Sequence, residues 1–321
     1  MITFFVYRDG HTTQTDQFDP SWLGPDSGVT LWADVRQPTA DDAETLRSTF
    51  GFHPLAVEDA MQTSHYPKVE SYGSYLYVIL HGIDFKQAEH AFETLDVDFF
   101  LGRNYLVTVH DGERRSVLAV AETCCGSNLA LSEGPIALMH RIVDSMVDHY
   151  RPEVDELESW LDEIEGKVLT NNRTELTGEI LAVKRDISSM RRVVIPQRDI
   201  VGRLARREFD MIGQEHAYRF RDVYDHLVRL ADESIIFQDR VTGILDAHLA
   251  SVSNQLAIVS KVLAGISLIF GPLTVFTGML GMNVELPVFP GGPAAQFWWI
   301  VGAMFTMTAT IYWLFRRRGW L

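Results

Sequence analysis

The run LAIVSKVLAGISLIFGPLTVFTGML occupies residues 256–280, and the triplet Gly281-Met282-Asn283 follows it directly. A second apolar run, FWWIVGAMFTMTATIYWLF, fills residues 297–315. At about 1.5 Å of rise per residue, each run is long enough to cross a hydrocarbon layer of roughly 30 Å as a helix. The polar loop 281–296 joins them, so the two runs read as a hairpin of membrane spans with the triplet at its apex. Everything before residue 256 reads as soluble and acidic.

The 321 residues carry 28 Lys and Arg against 43 Asp and Glu, a formal charge of −15. That balance excludes a nucleic-acid binder, which needs a basic footprint, and suits a protein that handles cations. The two cysteines, Cys124 and Cys125, are neighbours with no other partner to pair with, which fits a reducing cytosol. No signal peptide is expected, because the apolar stretch 2–7 is too short. Arg316, Arg317 and Arg318 follow the second run, whereas the loop 281–296 holds no Lys or Arg. By the positive-inside rule both termini are predicted to be cytoplasmic and the loop external. Trp298, Trp299, Trp313 and Trp320 near the span ends are the aromatics that membrane interfaces favour.

Residues 2–7, 29–35, 75–81, 96–100 and 105–110 are rich in Val, Tyr, Phe and Leu and predict strands. Between them, 39–50 opens on a Thr39-Ala40-Asp41-Asp42 helix start, and 53–60 predicts a second short helix. Residues 1–132 therefore read as an α/β domain. From 133 to 208 the pattern becomes helical, with helices expected over 135–169 and 173–195, antiparallel and joined at Thr170-Asn171-Asn172. The acidic segment 155–165 reads either as a solvated helix face or as a cation attractor. No Pro interrupts the chain between Pro196 and Pro272. A single helix over 209–280 would be about 105 Å long. Its first part, 209–255, would be a stalk whose apolar stripe needs partners that symmetric self-association supplies.

The chain resembles the CorA family of divalent-cation channels. The resemblance rests on the triplet in its setting: Phe220-Arg221-Asp222-Val223-Tyr224-Asp225-His226, Leu245-Asp246, Ser251-Val252-Ser253-Asn254, Lys261-Val262-Leu263, Pro272-Leu273-Thr274 and Thr277-Gly278. His53-Pro54-Leu55, Glu58-Asp59 and Pro67-Lys68-Val69-Glu70 add to it nearer the start. It implies a funnel-shaped homopentamer in the inner membrane of a bacterium or archaeon. The α/β domain and stalk would be cytosolic, 256–280 the pore helix, 297–315 the second span and 316–321 a basic cytoplasmic tail. It also implies uptake of Mg²⁺, with Co²⁺ or Ni²⁺ as further cargo, through a filter at Gly281, Met282 and Asn283.

The triplet's chemistry agrees. Gly281 can take the left-handed geometry that helix C-termini favour. Asn283 then offers a neutral carboxamide oxygen, and symmetry would set copies in a ring. Mg²⁺ sheds water reluctantly, so neutral acceptors suit the hydrated ion, while carboxylates would hold it longer. The alternative is that Asn283 merely caps the helix. Counting backwards by threes and fours gives Gly278, Thr274, Gly271, Ser267, Ala264, Ser260, Ala257, Ser253 and finally Asp246. This small, hydroxylated stripe reads either as a wet pore lining or as a tight packing face.

Three features depart from the family pattern. Gly271 and Ser260 stand where relatives usually carry bulky apolar residues, leaving Leu263 as the apolar gate candidate. Leu280 replaces the common aromatic before the triplet, and Glu285 is the external loop's sole acid. Asp222 matches a family position that binds a regulatory divalent ion between subunits. On a gapless count its partner would fall near Lys86, with Asp84 close by. Alternatively Asp222 pairs with Arg221 or Arg229 on its own helix.

Enzymatic motifs are missing: there is no G-x-x-x-x-G-K-[ST], H-E-x-x-H or G-x-G-x-x-G, and the histidines lack metal-ligand spacing. No prosthetic group is expected. The metal positions predicted are Asn283, Asp222 and Asp246, and the partners are copies of the chain, membrane lipid and divalent cations. Two rival readings stay open. One is a Zn²⁺ transporter resembling ZntB, toward which Pro290-Gly291-Gly292 leans while the intact Met282 favours Mg²⁺. The other is a membrane-anchored cation sensor that does not conduct.

Overall fold

Alternation builds the sheet. In Thr30–Arg36 (β3), Leu31, Ala33 and Val35 face one side and Trp32 the other, and all four are fully buried. A strand buried on both faces needs helices above and below it. The computed structural model describes residues 2–24, 26–62, 66–86, 91–112, 114–170, 176–282 and 291–318; for 84–86, 91–93, 169 and 293–294 it describes the backbone alone. Among them lies one seven-stranded sheet: Ile2–Arg8 (β1), His11–Thr15 (β2), β3, Lys68–Ser71 (β4), Leu76–Lys86 (β5), Ala91–Leu101 (β6) and Tyr105–His110 (β7). Its order is β2-β1-β3-β7-β6-β5-β4, and β3 with β7 is the parallel pair.

Ala40–Ser48 (α1) and Pro54–Ala60 (α2) cover one face, where Leu46, Ala56 and Val57 meet Tyr77, Ile79 and Phe100. Thr39 caps α1 in the expected way, with Asp42 completing a reciprocal capping box. The other face packs against helices that follow the sheet: Arg115–Gly126 (α3), Leu129–Ser132 (α4), Pro135–Asp148 (α5), Tyr150–Thr170 (α6) and Leu176–Ala205 (α7). Two buried polar groups tie that face to the sheet. Gln197 Oε1 accepts from the His81 backbone N–H at 2.8 Å, and the Tyr150 hydroxyl donates to the His81 carbonyl. The chain then enters Gln214–Leu280 (α8), of 67 residues, and ends in Gly292–Arg317 (α9). It forms two compact units, Met1–Leu245 and Asp246–Leu321.

Several boundaries differ from the sequence expectation. The helix expected over 135–169 is two, broken at His149, because Pro152 would clash with the Asp148 carbonyl four residues back. Conversely, α7 continues through Pro196 to Ala205, where buried Val194, Gln197, Val201 and Leu204 offset the one lost backbone bond. Strand β2 is polar and on the edge, yet its turn was legible. Asp9 and Gly10 both have positive φ, the two-residue hairpin geometry. The turn residues Asn171 and Asn172 lie outside the described residues. Four acids of the 155–165 segment pair with cations of the same chain: Asp155 with Arg151, Glu163 with Lys167, and Asp162 and Glu165 with Arg240.

Asp98 on β6 is 4% exposed and accepts a hydrogen bond from the Tyr77 hydroxyl at 2.5 Å. Burial, aided by the Asp96 and Asp59 charges and opposed by the Tyr77 bond, pushes its carboxyl up to about 8. An unfolded aspartate ionises near ~3.9. Between those values the folded chain holds a proton that the unfolded chain has lost. This contribution to stability is therefore complete below the unfolded pKa and lost as pH rises through the folded one. Thermal melts of the full chain in detergent should show Asp98→Asn flattening the decline by up to ~1.4 kcal/mol per pH unit. Parallel pH profiles for variant and parent would show that Asp98 is ionised throughout.

Candidate ion pathway on the long helix

Asp246, Ser253, Ser260, Ser267 and Thr274 recur at every seventh residue of α8, and Gly281 continues the series. Seven residues fall about 20° short of two helical turns, so the line drifts slowly round the helix. Ala257, Ala264, Gly271 and Gly278 lie beside it. Ile258, Val262, Ile269 and Phe276 lie about 155° away, on the opposite face. Two of the stripe's hydroxyl protons are occupied: Ser267 donates to the Leu263 carbonyl at 2.9 Å and Thr274 to the Phe270 carbonyl at 2.8 Å. Both side chains therefore present lone pairs outward, the complement of a hydrated cation whose waters point their protons away from the metal.

Leu263 sits about 50° off the Ser260–Ser267 line, on the shoulder of the stripe. Pro272 adds a feature that the stripe count missed. Lacking an N–H, it leaves the Leu268 carbonyl without its helical donor, and the neighbours of Leu268 on that face, Ala264 and Gly271, carry no bulk. The signal was in the sequence, because a proline inside an apolar helix always frees the carbonyl four residues back. At the apex, α8 tightens rather than turning left-handed: Gly281 N–H bonds to the Thr277 carbonyl at 3.0 Å and Met282 N–H to the Met279 carbonyl at 3.4 Å. Gly281 is not in the left-handed region, contrary to expectation. A Cβ there would lie 3.4 Å from the Thr277 oxygen, an ordinary contact, so the space at this position does not itself demand glycine. Asn283, Glu285 and Pro290 lie outside the described residues.

The apolar windows of α8 and α9 have mean hydropathies of 2.0 and 1.3, and neither is buried within the chain. Trp298 and Trp299 are exposed near the start of α9, and Arg317 stacks over Trp313 near its end, 5.3 Å from the ring centroid. Trp320 lies outside the described residues. Surface this apolar needs lipid or protein cover.

Asp222, on the part of α8 that belongs to the first unit, is exposed. Among the described residues it pairs with neither Arg221 nor Arg229, so that alternative is not met. It faces acids instead. Asp144 of α5, which no spacing in the sequence singled out, has its pKa raised by burial first, with Asp148 and Asp222 adding to the rise and His140 and His226 opposing it. Among the described residues no group of three or more His, Cys, Asp and Glu is placed to hold a metal ion. The side chains of Asp84 and Lys86 lie outside what is described.

A seven-stranded α/β domain, a long helix carrying a hydroxylated stripe and two uncovered apolar helices define a class: membrane proteins with a large domain ahead of two C-terminal spans. Residues 27–317 match the family model described as CorA-like Mg2+ transporter protein, and the chain belongs to that family, one of ion transporters rather than enzymes. The Bacillus subtilis (strain 168) protein YfjQ is 32% identical over 254 residues, 79% of this chain and 78% of that one. The cobalt/magnesium transport protein CorA of Thermotoga maritima is 27% identical over 321 residues, 98% of this chain and 89% of that one. The complete structure of the CorA magnesium transporter from Methanocaldococcus jannaschii superposes with a TM-score of 0.84 at 19% identity, covering 100% of this chain and 99% of that one. The ZntB cytoplasmic domain from Vibrio parahaemolyticus gives 0.63 at 14% identity, covering 79% of this chain and 97% of that one. At such identities both structures speak to fold alone.

The stripe makes a positional prediction. With Cys124 and Cys125 replaced by Ser, single cysteines at 253, 260, 267 and 274 should react with a charged thiol reagent in membranes at least about tenfold faster than cysteines at 258, 262 and 269. Equal rates on both faces would mark the stripe as a packing surface.

Proposed function

We propose that this chain conducts Mg²⁺ into the cell, with Co²⁺ and Ni²⁺ as lesser cargo, as a homopentamer whose α8 helices line one axial pore. The observation that carries the proposal is the seven-residue recurrence of Asp246, Ser253, Ser260, Ser267 and Thr274 up to the Gly281-Met282-Asn283 triplet. The name of the Thermotoga relative supports Mg²⁺ and Co²⁺ as cargo.

In this reading both termini are cytoplasmic, 256–280 is the pore helix and 281–296 the external mouth. Asn283 copies form a ring of carboxamide oxygens that receives the hydrated ion. The stripe then offers hydroxyl lone pairs, so the ion keeps its waters while they exchange hydrogen bonds with the wall. Leu263 forms the apolar neck, and Asp246 a carboxylate ring where the pore leaves the membrane. Asp222 acts as a regulatory cation ligand with an acid from another subunit, because the described residues of its own chain do not complete a metal site. Two inward charges gain about 4.6 kcal/mol per 100 mV, so uptake needs no ATP. The Zn²⁺ reading shares this fold through its ZntB neighbour, but a fold does not choose an ion.

Proteoliposomes containing only this protein test the proposal. Asn283→Ala should cut Mg²⁺ flux at least about tenfold while native mass spectrometry still finds five protomers, because one neutral ring is asked to capture the ion. Full flux through a correctly assembled variant would remove Asn283 from the pathway. A stable monomer would overturn the pore itself.

A further inference from the structure

The α/β domain holds a cavity that the transport reading does not use. It lies where β3 and β7, the parallel pair, end at Arg36 and His110, the edge at which α/β sheets commonly bind ligands. Its volume is about 260 Å³, room for some eight or nine non-hydrogen atoms at ~30 Å³ each. Its polar lining is Gln37, Gln62, Asp96, Asp98, His110, Asp111 and Arg114, with both His110 ring nitrogens already engaged by the Gly112 carbonyl and Asp34.

The polar groups fall into two kinds. Asp98 is 96% buried by its 4% exposure, and its donor among the described residues is Tyr77, which binds Oδ1 and leaves the second oxygen for a ligand. Asp96, two residues along the same strand and hence on the same face, has its Oδ1 2.5 Å from His81 Nδ1. Opposite in charge, Arg114 is the N-cap of α3 and caps it without a side-chain hydrogen bond. Its Nε is buried and has no hydrogen-bond partner among the described residues. Burial depresses the Arg114 pKa, and the Asp96 and Asp111 charges oppose that shift.

A buried donor short of a partner, beside a carboxyl with one oxygen unengaged among the described residues, favours a ligand that answers both. A cation alone would leave Arg114 unanswered and would be repelled by it; an anion alone would meet the Asp96 and Asp111 charges. We infer that the cavity binds a small zwitterion of amino-acid size, with its ammonium group on Asp98 and its carboxylate on Arg114. Gln37 and Gln62 complete the hydrogen bonding as amides that can either donate or accept. Lodged between the C-terminal ends of two core strands and the end of α2, such a ligand would stabilise the α/β domain by mass action.

The test is independent of ion flux. The full chain in detergent is melted with each of the twenty L-amino acids at about 5 mM, and with NaCl at equal strength, since ligand binding to the folded state raises the midpoint by a few degrees. At least one amino acid should raise the midpoint, titrate at one site per chain by calorimetry, and lose at least about tenfold in affinity in both Asp98→Asn and Arg114→Gln. Because Asp98 holds its proton up to about 8, the ammonium must displace it, so the titrations are made above that pH; Asp98→Asn mimics the protonated carboxyl and keeps the fold. No shift with any amino acid would overturn the inference. So would binding that survives both substitutions, or a ligand lost with Asp98→Asn but held equally by Arg114→Gln, which would be a plain cation.

Discussion

Within hydrocarbon a helix satisfies its own backbone, and its side chains must suit whatever surrounds them. The part of α8 from Asp246 onward meets that constraint in an uneven way. Most of its circumference is Leu, Ile, Val and Phe, while one line is Ser, Thr, Ala and Gly. The apolar part asks for lipid or a neighbouring helix. On that line Ser267 and Thr274 keep their protons bonded to their own backbone and show acceptors, so the line is neither fully apolar nor a demanding hydrogen-bond partner. A surface of that kind can hold a shell of water around a cation without stripping it. The rest of the proposed mechanism depends on that one property.

The soluble part is held by different means. Its sheet is buried on both faces, and single polar side chains reach through the packing to fix its position. The His81 backbone is clasped by Tyr150 of α6 and Gln197 of α7. Trp32, Thr108, Asp34 and His110 form a second chain: Trp32 donates to Thr108 at 3.0 Å, Thr108 to Asp34 at 2.7 Å, and His110 Nε2 lies 3.0 Å from the same Asp34 oxygen. Burial by itself would raise the Asp34 carboxyl, but hydrogen bonds from His110 and Thr108, with the His110 charge, outweigh it and hold the group below its ordinary range. Such networks cost little when complete and fix one arrangement of sheet and helices.

Much of this was legible in the sequence because it was written in simple periods. The five expected strands carried the Val, Tyr and Phe content of buried sheet, and the Thr39-to-Asp42 start gave α1 almost to the residue. The apolar runs gave both C-terminal helices. What escaped depended on local conflict. Pro152 divides a helix whose apolar period continues unbroken, and Pro196 fails to divide one whose buried face outweighs the missing bond. Strands β2 and β4 lie on sheet edges and are polar, so only the Asp9-Gly10 turn announced the first. The stripe was readable by counting, but the Leu268 carbonyl required asking what Pro272 takes away. The Asp144 neighbourhood and the cavity beside Asp98 join residues distant in sequence, and no spacing along the chain could have announced them.

The central claim is passive conduction of a doubly charged ion by this chain alone. The most direct measurement is Mg²⁺ accumulation in proteoliposomes at a series of clamped membrane potentials, with no pH gradient and no nucleotide. Passive conduction predicts an equilibrium ratio that climbs by over a thousandfold for each 100 mV, about 4.6 kcal/mol for two charges. No accumulation, or accumulation that ignores the potential and follows an imposed pH gradient instead, would contradict it.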